Sequence, residues 1–239
     1  MACDIIDVYD RSIFEMKNVF TVEECQAFID HHKNSSNKTP GLVNSPDGTA
    51  IVVENVKKTT DVIMQYDRSD DHPTSKLIFT YNKGIDKVRS EYTNHVRTIN
   101  RSCGFGYLNS GFFTAPIIQR TDKDGFFNWH SDRCDGIDRW LAVIIYLNDI
   151  DEENGGSTEF NSGRKIQPEV GKVIMFPVTH LHLHRGNTIL NGPSKYILTA
   201  FVIEPQPCSN PRFFQPDLPI EVSERIPGHV PENVAGFLT

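Results

Sequence analysis

The stretch with the clearest chemical consequence is Trp129-His130-Ser131-Asp132. On an extended backbone successive side chains alternate faces, so His130 and Asp132 project to the same side. On a helix the same spacing would splay them by about 200°. An imidazole and a carboxylate can therefore meet at one metal ion if the segment is a strand. A third donor is offered about fifty residues on, in Thr179-His180-Leu181-His182-Leu183-His184-Arg185-Gly186. Two imidazoles and a carboxylate on one face of an ion leave positions open for a co-substrate and oxygen, the donor set of non-haem Fe(II) oxygen chemistry. His180, His182 and His184 alternate with leucines, so an extended backbone would put all three on one face. Their Cα atoms would step by about 7 Å, too far for all three to share an ion. One is then the ligand, the others line the cavity or orient it, and spacing does not choose among them.

These residues need strands to hold them, and from Gly104 onward the pattern is one of short strands and turns, the mark of an antiparallel sandwich or barrel. Strands are expected over 116–121, 126–132, 140–147, after the Gly155-Gly156 turn, over 171–177, through the three-histidine stretch, and over 195–203. The run 140–147 is almost continuously apolar and so buried on both faces. Ahead of this core, residues 1–20 suggest one or two short strands. Thr21 with Glu24 three residues later forms a capping box, predicting a helix from there to about Lys33. Asn34 to Gly48 reads as a loop that could border a substrate. Residues 50–66 carry two strand-like runs, and Ile85, Val88, Tyr92, Val96 and Ile99 recur at helical spacing after Pro73. His95 on that helix is expected to be a packed or surface residue rather than a metal ligand. Seven of the chain's fourteen prolines fall after Glu204, which predicts an extended tail over 205–239.

Composition narrows the function classes. At 239 residues the chain is long enough for a sizeable core, and 38% hydrophobic and 23% charged residues are ordinary for a globular protein. A formal charge of −7 disfavours nucleic acid as the main partner. No stretch reads as a membrane span or a secretory signal, so no membrane partner and a cytoplasmic location are expected. Cys3, Cys25, Cys103, Cys134 and Cys208 are scattered and odd in number, which predicts reduced thiols. Cys134 lies near Asp132, but a soft thiolate is not needed to complete a His/Asp/His set. Gly104-Phe105-Gly106 lacks the third glycine and the βαβ context of a dinucleotide site.

Taken together, Trp129-His130-Ser131-Asp132, Tyr146-Leu147-Asn148, Gly155-Gly156-Ser157-Thr158-Glu159-Phe160, Gly171-Lys172-Val173-Ile174-Met175-Phe176-Pro177, His184-Arg185-Gly186 and Lys195-Tyr196 resemble the 2-oxoglutarate- and Fe(II)-dependent dioxygenase superfamily, in its prolyl 4-hydroxylase-like branch. The resemblance implies an α+β, mainly β fold: a double-stranded β-helix, or jelly roll, over 104–204 with supporting N-terminal helices in 1–103, all within one catalytic domain. It implies His130, Asp132 and His184 as iron ligands and Lys195, with Tyr146, as the anchor of the distal carboxylate of 2-oxoglutarate. His184 is chosen because the family's distal histidine precedes its basic residue by about ten positions; here the separation is eleven. Many relatives carry a tyrosine about nine residues before the first histidine, where this chain has Thr121. The implied cofactors are Fe(II), 2-oxoglutarate and O2, extending to ascorbate. The implied reaction oxidises an unactivated C–H bond, typically hydroxylation of peptidyl proline, as 2-oxoglutarate becomes succinate and CO2.

Other readings stay open at this level. The same chemistry could act on a free amino acid or another small metabolite, by hydroxylation, desaturation or ring closure. A cupin-like metal domain could use His182 and His184 with Glu159 or Asp132, and a Zn hydrolase would need three such ligands and a water. A non-enzymatic interaction domain is the third alternative.

Overall fold

The computed structural model describes residues 9–44, 49–64, 73–99, 112–133 and 139–203. In chain order its strands are β1 (Phe14–Met16), β2 (Thr39–Pro40), β3 (Leu42–Asn44), β4 (Ala50–Val52), β5 (Thr60–Ile63), β6 (Phe112–Phe113), β7 (Ile117–Thr121), β8 (Phe127–His130), β9 (Arg139–Tyr146), β10 (Thr158–Phe160), β11 (Lys165–Ile166), β12 (Val173–Pro177), β13 (His184–Gly186) and β14 (Lys195–Ile203). Two helices, α1 (Val22–Asn34) and α2 (Pro73–Ile99), precede most of them. The strands form an antiparallel major sheet in the order β1-β12-β9-β14-β7-β5-β2, with β6 on β14, and a minor sheet in the order β11-β10-β13-β8. The two sheets make a jelly roll, the fold class expected from the sequence resemblance.

The core has two layers divided by the major sheet. Along β9 the side chains of Leu141, Val143 and Ile145 pack outward against Phe28, Ile85, Val88 and Tyr92 of the helices. Ala142, Ile144 and Tyr146 point inward with Phe160, Ile174 and Phe176. That two-sided burial is the reason this strand has no polar alternation. Helix α1 starts where its capping box predicts: the Glu24 amide donates to the Thr21 hydroxyl at 3.2 Å, and the Thr21 amide donates to the Glu24 carboxylate at 2.8 Å. Helix α2 buries Ile85, Val88 and Tyr92 on the sheet, while the ring of His95 takes a backbone partner in Arg11 O.

The one or two short strands expected in 1–20 appear as β1 in its described part, preceded by a helical turn at 9–11. Ile13 packs into the inter-sheet core and Tyr9 stacks on the ring of His182. Two expectations change. The presumed loop at 34–48 contains β2 and β3, and β3 pairs with β4 as a two-stranded hairpin in which Leu42 faces Val52 and Val43 faces Ile51. The three-histidine stretch is not a continuous strand, because 179–182 is a turn and only His184 enters β13. Thr179 causes it: its hydroxyl accepts from the Leu181 amide at 3.2 Å and its carbonyl from the His182 amide at 3.1 Å. The glycine pair at 104–106, Cys134 and the proline-rich tail lie outside the described residues. Among the described residues no helix is long and apolar enough to cross a membrane.

Gly84 gives a test of this packing. Alanine at an exposed helix interior would gain about 1 kcal/mol over glycine, but a Cβ at Gly84 would collide with the Phe20 ring. Gly84→Ala is therefore expected to destabilise the protein by roughly 1–3 kcal/mol, as overpacking does, read as a lower urea midpoint with an unchanged slope.

Candidate metal centre

The minor sheet builds the centre by register. β13 pairs antiparallel with β8 so that His184 lies directly opposite His130, and on its other side His184 faces Phe160 of β10. Directly paired residues share a face, so both imidazoles point into the space between the sheets, ring centroids 4.2 Å apart. Asp132, just past the end of β8, turns its carboxylate to both: Oδ1 is 3.6 Å from His130 Nε2 and Oδ2 is 3.5 Å from His184 Nε2. The donor atoms of His130, Asp132 and His184 all lie within 4.8 Å of one another.

The hydrogen bonds behind the rings fix which nitrogen faces inward. His130 Nδ1 contacts Asn128 O at 2.7 Å and His184 Nδ1 contacts His182 O at 3.2 Å. A carbonyl only accepts, so each Nδ1 carries the proton and each Nε2 presents a lone pair. Burial, partly opposed by Asp132, pushes the His184 pKa down to about 4, so its ring is neutral at physiological pH. Burial alone would raise the Asp132 carboxyl, but His184 and His130, with Arg139 beyond, hold it well below the usual carboxylate range. Two lone pairs and one anion facing a common point repel one another unless a cation sits between them. The donor set thus fits a divalent metal ion, and modest closing would bring the donors to the spacing of about 3 Å expected for ligands at roughly 2.1 Å from one ion.

The cluster opens on a cavity of about 580 Å³ between the sheets, whose walls include Lys195, Thr158 and Thr121. The Lys195 ammonium is buried, donates to Gly156 O at 2.7 Å, and is pushed down to about 8 by burial. Gly156 has a φ of +70°, which glycine adopts without strain and which turns its carbonyl to the lysine. Thr121 stands directly opposite Lys195 across β7 and β14. Tyr146 lies near the ammonium, its ring centroid 5.9 Å from Nζ, but its hydroxyl is buried and donates to Thr158 Oγ1 at 2.8 Å. Tyr146 therefore reaches the cavity through Thr158, whose own hydroxyl hydrogen is left to offer to a ligand. Thr158 was not singled out from the sequence, although its two-residue offset from Phe160 already placed it on the inward face.

The other candidates fall elsewhere. His180 is exposed. His182 is buried with both ring nitrogens engaged: Nε2 is 2.8 Å from Ser12 Oγ and Nδ1 is 2.7 Å from Thr179 Oγ1. Ser12 gives its proton to Tyr9 O at 2.6 Å, so His182 Nε2 is the donor to Ser12 and the hydroxyl is no nucleophile. Glu159 is engaged by Arg185 at 2.9 Å and Asn187 at 2.8 Å. The cupin-like set of His182 and His184 with Glu159 or Asp132 is not brought together among the described residues, because both His182 ring nitrogens are engaged elsewhere.

Comparison with known proteins follows this geometry. No curated protein matches the chain by sequence. Among solved structures, a prolyl hydroxylase from Trichoplax adhaerens, solved with a hypoxia-inducible-factor oxygen-degradation-domain peptide, aligns with a TM-score of 0.62 at 13% identity, covering 84% of this chain and 87% of its own. A Pseudomonas putida prolyl-4-hydroxylase aligns at 0.56 and 13% identity, covering 84% and 97%. A collagen prolyl hydroxylase of Paramecium bursaria chlorella virus 1, solved as a 2OG complex, aligns at 0.52 and 16% identity, covering 81% and 97%. At such identities the likeness is one of fold. Residues 116–203, the stretch that carries His130, Asp132, His184 and Lys195, match the model of the 2OG-Fe(II) oxygenase superfamily.

Proposed function

We propose that the protein is an Fe(II)- and 2-oxoglutarate-dependent dioxygenase that oxidises an unactivated C–H bond, with hydroxylation of peptidyl proline as the leading reaction. One observation carries this: two Nε2 lone pairs and a carboxylate converge at a cavity that also holds a buried ammonium. His130, Asp132 and His184 would hold the iron; bound together, iron and 2-oxoglutarate supply oxygen activation, the co-substrate leaving as succinate and CO2.

The chain's own residues do the rest. Lys195 offers the distal carboxylate of 2-oxoglutarate a charge-assisted hydrogen bond, and the Thr158 hydroxyl, oriented by Tyr146, offers a second. Thr121 leaves more room beside that anchor than a tyrosine would. Arg139 donates to Asp132 O at 3.0 Å and lies over the Phe201 ring at 3.9 Å, so a flat, rigid wall stands next to the metal ligands. Val43 and Ile51 of the β3–β4 hairpin add apolar surface to the cavity. Such walls suit a saturated ring carried on a peptide and exclude water from the reacting carbon. The buried Lys57–Asp61 pair, 2.7 Å apart on the cavity wall, favours a second reading in which the substrate is a free amino acid matched by paired charges.

Anaerobic addition of Fe(II) and 2-oxoglutarate is expected to give the visible charge-transfer absorption of the chelate. Asp132→Ala and His184→Ala should lose that band and all turnover, while His180→Ala keeps both; full activity in Asp132→Ala sinks the assignment. Turnover that needs Zn and no 2-oxoglutarate would replace it with a hydrolase. Succinate release across proline peptides and free amino acids decides between the two substrate readings. The anchor makes a pH prediction. Burial holds Lys195 down at about 8, so the free cavity keeps its cation below that pH and loses it above. The KM for 2-oxoglutarate should be flat below this value and rise about tenfold per pH unit beyond it, as expected when only the protonated form binds. Lys195→Met should raise KM roughly 10- to 100-fold, the loss of a charged hydrogen bond, and remove the pH limb.

A further inference from the structure

β8 contains an irregularity that reaches the metal ligand. His184 pairs with His130 and Gly186 with Phe127, so two steps along β13 match three along β8. This is a β-bulge. Residues three apart on a regular strand face opposite ways, yet here Phe127 and His130 both face inward, and Asn128 and Trp129 are the exposed pair between them. The Phe127 ring stacks flat on the His130 imidazole, centroids 3.6 Å and planes 13° apart. The same bulge brings Asn128 O back to His130 Nδ1.

Phe127 is itself held from its other neighbours. The backbone of 56–58 adds alongside β8, with Lys58 N donating to Phe126 O and Asn128 N donating to Val56 O, both at 2.8 Å. From the centre of that segment the Lys57 ammonium lies 5.2 Å from the Phe127 ring centroid and ion-pairs with Asp61 of β5. Both members of the pair are buried, so it ties the edge of the minor sheet to β5, one strand in from the edge of the major sheet, directly behind Phe127. The His130 ring thus has its tilt set by a carbonyl and its plane by an aromatic face, and neither partner touches the metal position.

We propose that Phe127, backed by the Lys57–Asp61 pair, is a positioning residue for the metal centre, holding the His130 ring plane so that Nε2 stays aimed at the point shared with Asp132 and His184. This rests on the triad being the metal site. A ring free to rotate about χ2 would have to be ordered by the ion, and affinity falls accordingly; outer partners of metal-bound histidines commonly carry such effects.

Co(II) is the probe, added to the purified full chain without 2-oxoglutarate or substrate and followed by its visible d–d bands. Phe127→Leu is expected to weaken Co(II) about tenfold and to shift or broaden the bands, with the melting temperature of the metal-free protein unchanged. Phe127→Tyr, which keeps the stacked face, should restore wild-type affinity and spectrum. Phe127→Met, which fills similar volume without a planar face, carries the same expectation as Phe127→Leu, so the outcome does not hang on one well-folded variant. Wild-type affinity and bands in Phe127→Leu or Phe127→Met overturn the proposal, as does equal weakening in Phe127→Tyr. If the wild-type chain binds Co(II) and turns over 2-oxoglutarate while these variants match it, only the positioning role fails. If the wild-type chain binds no Co(II), the oxygenase reading fails with it.

Discussion

The pairing of His184 with His130 across β13 and β8 is the constraint on which the rest of the site depends. A slip of one residue would turn one imidazole to the outer face of the minor sheet and leave Asp132 with a single partner. The register is held from three sides: β10 on the far edge of β13, the 56–58 segment on the far edge of β8, and the aromatic packing of Phe160 and Phe176 against His184. Position and chemistry are thereby coupled, since the same packing that fixes the strands removes His184 from water and keeps it neutral.

Charge is arranged by the same economy of position. The candidate ligands amount to two imidazoles and one carboxylate, which suits a divalent cation. On the opposite wall the buried ammonium of Lys195 faces the same cavity. Buried charges of this kind work against stability unless they are partnered, and the helices answer for it elsewhere: Phe28, Ile85, Val88 and Tyr92 are packed on the outer face of the sheet whose inner face carries the lysine. A cavity can be left between two sheets because one of them is braced from outside.

One feature sets this chain's cavity apart from the pattern its sequence resembles: Thr121 stands beside Lys195 where many relatives have tyrosine. Lys57 and Asp61 place an ion pair in the wall at the seam between the sheets. Gly41, at the root of the β3–β4 hairpin, lies against Lys57 and Thr59, so a Cβ there would press on both. The hairpin that borders the cavity, the seam and the bulged strand under His130 are in this way mechanically joined. Arg185, paired with Glu159 and lying over the Trp129 ring, occupies the outward side of the same strands and takes no part in the cavity.

Much of this was legible beforehand, for physical reasons that differ from residue to residue. The capping box at Thr21 and Glu24 and the two-sided apolar run of β9 are local consequences of backbone geometry, and they hold; His130 and Asp132 do converge, although Asp132 lies past the end of β8. Lys195 as a buried cation and the choice of His184 came through resemblance, since no local rule separates His184 from His180 and His182. What the sequence determined was the set of donors and the strand periodicity that carries them. The tertiary structure alone decided which histidine faces the cavity, because the Thr179 turn breaks the alternation on which the spacing rule relied. It alone decided that the Tyr146 hydroxyl bonds to Thr158 and that Phe127 lies under His130. Those relations depend on a turn, a buried hydroxyl pair and a bulge, each set by contacts between strands far apart in the chain.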